Sequence, residues 1–106
     1  MTAPDERDVS AATKTVDFIN ADRRLRELRS SLEELVEDEK IARDNRDDAL
    51  ERHAEDQIHS GHVTKAVEEW AFAYARCNVA EREVSQAAAA RAKAEEAIQK
   101  AALDRM

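Results

Sequence analysis

Residues 66 to 101 read AVEEWAFAYARCNVAEREVSQAAAARAKAEEAIQKA, and counting by sevens from the first of them returns alanine at Ala66, Ala73, Ala80, Ala87, Ala94 and Ala101. A second position starts at Val63 and continues through Trp70, Cys77, Val84, Arg91, Ile98 and Arg105, four residues after each alanine. Spacings of three and four that repeat in step are those of a helix packed along another helix, with a small residue alternating with a larger one. Alanine on the seam lets two helix axes approach toward the near end of the roughly 8 to 10 Å range. The column has no reactive group, so it reads as a packing device.

The preceding half supplies a stripe for it. Val16, Phe18, Leu25, Leu28, Leu32, Leu35 and Val36 follow at helical spacing, which predicts an amphipathic helix with one apolar face. The stripe fades from Glu37 to Asp48, where Ile41 points elsewhere, and resumes weakly at Leu50, Ala54 and Ile58. Ser60-Gly61-His62 is the strongest break, because glycine tolerates the left-handed conformation that ends helices and Thr64 is suited to capping the next one. These signals predict an all-α fold, a long antiparallel helical hairpin of coiled-coil type that assembles into a multi-helix bundle. Its parts are a flexible lead over residues 1 to 9, a helix over about 11 to 59, a turn at 60 to 63 and a helix over about 64 to 104. Folding back at this turn sets Val36 near Val84 and Leu25 near Ile98. A continuous rod through Gly61, or a third helix starting after a cap at Asn45, are the competing architectures.

Composition agrees with long helices. Charged residues make up 39% of the 106 and aromatics 4%, with one glycine (Gly61) and one proline (Pro4) to interrupt the helix formers. The net charge is −7. It resides wholly in residues 1 to 60, which have 10 Lys or Arg against 17 Asp or Glu, whereas residues 61 to 106 have 7 of each. Met1 to Ser10 is polar and acidic, unlike a secretory signal, and no stretch is long and apolar enough for a membrane span. Cys77, the single cysteine, excludes an internal disulfide and fits a reducing compartment. A cytoplasmic location follows as an expectation, or a virion-associated one, since helix-rich, motif-poor chains are common among bacteriophage accessory proteins. The turn lacks the Trp and Gly two residues apart that mark small secreted helical hairpins of the WXG type, so no family is assigned.

Candidate chemistry is sparse. His53, His59 and His62 gather near the predicted turn with Glu55 and Asp56, but di-iron bundles need two carboxylate and histidine pairs on separate helices plus further glutamates, so no metal or other cofactor is expected. The Asp44 to Asp48 run lacks the spacing and the central glycine of a calcium loop. No glycine-rich phosphate loop, nucleophile elbow or basic patch with interleaved aromatics occurs, which argues against an enzyme and against direct binding of nucleic acid.

What remains is association. Trp70 and Tyr74 share one helix face and Phe72 points to the opposite one, so a single partner helix cannot cover all three. The expected interface residues are Ala66, Trp70, Ala73, Tyr74, Cys77, Ala80, Val84, Ala87, Ala94 and Ile98 in the second helix, with Leu25, Leu28, Leu32 and Val36 in the first. The expected function is that of a non-catalytic structural or adaptor protein, homo-oligomeric through helix association, with a further protein partner. An acidic regulator docking a basic partner surface is the alternative, resting on the charge of the first half.

Overall fold

A computed structural model describes residues 6–104, with side chains from Ala11 onward. Helix α1 spans Glu6–Ala54 and helix α2 spans Ser60–Asp104, and there is no strand among the described residues. The fold is all-α, a hairpin of two long antiparallel helices. Helix α1 passes through Asn45 without a break, so the three-helix arrangement does not form. The lead expected over residues 1 to 9 falls partly outside the described residues, and Glu6 to Val9 belong to α1.

The turn lies over residues 55 to 59, earlier than the expected 60 to 63. Three backbone bonds make it. Glu55 N donates to Glu51 O at 3.1 Å, Asp56 N to His53 O at 3.0 Å and Gln57 N to Arg52 O at 2.8 Å. The last two are the paired bonds of a Schellman cap, which closes a helix by turning one residue into the left-handed region. That residue is Asp56, at φ 58°. Aspartate is one of the few non-glycine residues that visit this region readily. Gly61 instead has an ordinary negative-side backbone within the first turn of α2. Thr64 does not cap, because its hydroxyl donates back to Ser60 O at 3.1 Å inside the helix. His53 Nδ1 lies 3.2 Å from Ile58 O and ties the end of α1 to the turn.

Both helices show the same heptad. In α2, every residue from Val63 to Ala101 on the alanine column and its companion position is buried or half-buried. In α1 the non-exposed residues are Ala11, Lys14, Phe18, Ala21, Leu25, Leu28, Leu32, Leu35, Glu39, Ala42, Arg46 and Ala49, together with Asp22. The α1 seam therefore does not fade after Leu35. It continues through Glu39, Ala42, Arg46 and Ala49, while Leu50 and Ile41 face solvent. Val36, expected in the core, is 47% exposed because Leu35 occupies the seam position beside it.

Two compact units divide the chain. One is Ser30–Arg82, which holds the turn, and the other joins the residues up to Arg29 with those from Glu83 onward. Two helices alone bury one stripe each, so the buried apolar set is short: Leu25, Ala49, Cys77, Ala80 and Ala87. In the unit without the turn, Arg91 meets Asp22 and Phe18. Ala11, Lys14 and Thr15 border the same shallow depression as Ile98, Ala101 and Ala102. Ile98 thus stands across from the start of α1 and not from Leu25. The earlier turn moves the register by about two helical turns from the expected one.

Candidate interaction surface

Within the unit that holds the turn, the side chains around Trp70 form its most elaborate polar arrangement. The indole N–H donates to Glu39 Oε1 at 3.0 Å. Arg46 lays its guanidinium carbon 4.2 Å from the centre of the Trp70 rings, and Tyr74 stacks on the same residue with centroids 5.4 Å apart. Glu39 and Arg46 are both α1 seam residues. A half-buried indole needs an acceptor for its N–H and a cover for its face, and these two side chains supply them from the opposite helix. The charged stretch of α1 therefore completes the hairpin core at the bulkiest residue of α2. Arg46 in turn bonds Asp47 at 2.8 Å, and Arg43 stands 4.0 Å from Glu39.

Two turns further along α2, Cys77 is 6% exposed and its thiol donates to Leu35 O at 3.1 Å. Burial raises the thiol pKa, and the nearby Glu39, Glu81 and Asp38 carboxylates push in the same direction. A thiol kept neutral is a packing group with a weak donor, not a nucleophile.

The other unit repeats the chemistry with the helices exchanged. Arg91 from α2 stands 5.0 Å over the Phe18 ring of α1 and donates from Nε to Asp22 Oδ1 at 2.7 Å. Arg26 pairs with the second oxygen of Asp22 at 3.0 Å. The hydrogen bond from Arg91 holds the Asp22 carboxyl below the usual carboxylate range, with the charges of Arg26, Arg91 and Arg29 adding to it against the effect of burial. Small residues leave a shallow depression bordered by Ala21, Arg24, Glu83, Gln86, Ala87 and Ala90.

The expected interface residues now separate into two groups. Ala66, Trp70, Ala73, Cys77, Ala80, Val84, Ala87, Ala94 and Ile98, with Leu25, Leu28 and Leu32, line the hairpin's own seam. Tyr74 and Val36 sit on its flank and are about half exposed. Phe72, which the sequence set on the face opposite Trp70, is 66% exposed, and the surface residue missed is Val79, 52% exposed, seven residues on along the side of α2 away from the seam. Their shared heptad position was the available signal.

The segment from Trp70 to Ala80 contains a single charged residue, Arg76, in a chain that is 39% charged. A helix segment with apolar residues on more than one face ordinarily has neighbours on more than one side. Here α1 covers one face of this segment and Phe72, Tyr74 and Val79 stay exposed on the others. Among the described residues no group of His, Cys, Asp and Glu is placed to hold a metal ion, and no helix is long and apolar enough to cross a membrane. No protein family, no curated protein and no solved structure matches the chain.

Proposed function

We propose that this protein is a non-catalytic association module whose α2 segment Trp70 to Ala80 packs against a helix of another chain, its own copies included. The observation that supports it most is the low charge of that segment, whose single charged residue is Arg76 and of which the hairpin covers one side. Exposed large apolar residues are ordinary when scattered. Phe72 and Val79 are instead aligned on one stripe, with Ala75 between them. The seam uses the alanine column to bring α1 and α2 together, so that column is spent within the chain, and the outer stripe is what remains for partners. Light scattering across concentrations from roughly ten to several hundred micromolar tests the reading, because small interfaces associate weakly. A mass that rises above one chain with concentration supports it, and a single-chain mass throughout sinks the self-association it includes.

A second reading rests on α1. Glu33, Glu34, Glu37 and Asp38 are all exposed within six residues of one helix, a surface suited to docking a basic partner. Binding of that kind weakens as salt shortens the Debye length below about 8 to 10 Å, and capture of a basic partner that is unchanged in high salt contradicts it.

A further inference from the structure

The outer stripe of α2 reads Glu68, Phe72, Ala75, Val79, Arg82. All five side chains are exposed, and they fall at alternating spacings of four and three residues, so they form one line along the helix. The order of the line has a property of its own. Reversed end for end about Ala75, it places Glu68 on Arg82, Phe72 on Val79 and Ala75 on itself. That is the requirement of an isologous two-fold contact, in which residue i of one copy meets residue j of the other and j meets i.

Resting on the self-association proposed above, we infer that the partner at this face is a second copy of the chain, docked with its α2 antiparallel and the two-fold axis at Ala75. Ala75 at the axis allows the two helices to approach closely, and Phe72 packs beside Val79 of the other copy on each side of it. Glu68 and Arg82 close the two ends as reciprocal ion pairs, and neither takes part in an ion pair within the described chain. Arg76 leans over the Phe72 ring, with 5.7 Å from its guanidinium carbon to the ring centre, and keeps that ring partly covered in the single chain. Glu69, Arg76 and Glu83 flank the stripe on one side, where solvated charges contribute little to affinity and something to specificity. A parallel pairing sets Glu68 on Glu68 and Arg82 on Arg82, so charge selects the antiparallel arrangement. Five residues spread over about 21 Å of helix make a contact at the small end of specific interfaces, so association is weak and concentration-dependent.

Charge exchange tests it on the full chain. Glu68→Arg and Arg82→Glu each face like charges in the homodimer, and each is expected to weaken self-association about tenfold by sedimentation equilibrium while circular dichroism keeps the wild-type helix signal. Mixed in equal amounts, the two variants place opposite charges at both ends of the contact and are expected to associate as well as the wild type. A wild type that associates while both variants associate equally well, or a mixture that is no better than its components, overturns this face and leaves self-association standing. A wild type that stays a single chain at all concentrations overturns both.

Discussion

Arg46 on α1 lies over the rings of Trp70 on α2, 4.2 Å from their centre, while Glu39 one heptad earlier accepts the indole N–H at 3.0 Å. Two charged side chains thus occupy seam positions that leucines hold from Leu25 to Leu35. The substitutions Glu39→Ala and Arg46→Ala separate their roles. Removing Glu39 leaves a half-buried donor without its partner and is expected to cost about 1 to 2 kcal/mol in urea unfolding. Removing Arg46 takes away one face of cover and is expected to cost about 0.5 to 1 kcal/mol, with a shift of the Trp70 emission toward longer wavelength as water reaches the ring. Stability unchanged in both contradicts the assignment of these residues to the seam.

The alanine column gives a second expectation. Ala80 and Ala87 are 8% and 7% exposed, and leucine at either position overfills a seam built for close approach. Ala80→Leu is expected to destabilise by about 1 to 3 kcal/mol. Ala87→Leu is expected to cost less, because Ala87 borders the depression that Ala21, Arg24, Gln86 and Ala90 leave open. Ala89→Leu, on an exposed position, serves as the neutral comparison. Equal melting temperatures for Ala80→Leu and Ala89→Leu contradict the seam.

Much of this was legible from residue spacing, and the failures have identifiable causes. Counting by sevens found the α2 seam, because alanine repeats are conspicuous and nearly every position on the count is buried or half-buried. The α1 seam was followed only as far as its leucines, since hydrophobicity alone marks Glu39 and Arg46 as surface. They are drawn inward by Trp70, an interaction between helices that no local window contains. The turn was misplaced by the preference for glycine as a helix stop. Asp56 takes the left-handed position five residues earlier, and that shift moved every cross-helix pairing expected from the hairpin.

That aspartate invites a direct test. At φ 58° the side chain of Asp56 is accommodated, but glycine adopts this conformation without the steric cost. Asp56→Gly is expected to stabilise the hairpin by roughly 0.5 to 1 kcal/mol after the greater freedom of glycine in the unfolded chain is subtracted. Gly61→Ala is expected to stabilise by a similar amount, because the added methyl group meets no atom within 4 Å and alanine is the better helix former. A loss of stability in Asp56→Gly contradicts the Schellman reading of the turn.

Acid separates the Asp22 and Arg91 pair from the rest of the fold. The Asp22 carboxyl is held below its ordinary range chiefly by the hydrogen bond from Arg91. With the folded pKa lowered, the unfolded chain binds more protons between the two values and stability rises with pH across that window. The contribution is present in full above the ordinary carboxylate pKa of about 4 and fades as pH falls through the lower folded value. The difference in melting temperature between wild type and Asp22→Asn is therefore expected to be largest near neutral pH and to shrink below pH of about 4. A difference that is constant with pH contradicts the pairing.

The central claim is that the hairpin completes its own seam and leaves the outer stripe of α2 for another chain. Sedimentation equilibrium of the wild type beside a Phe72→Ser, Val79→Ser double variant tests it most directly, since both residues are exposed and their loss leaves the seam intact. The expected result is a wild type whose mean mass climbs toward two chains with concentration and a double variant that stays at one, with equal helix content in both. A double variant that associates as the wild type does, or a wild type that remains a single chain at every concentration, contradicts the account.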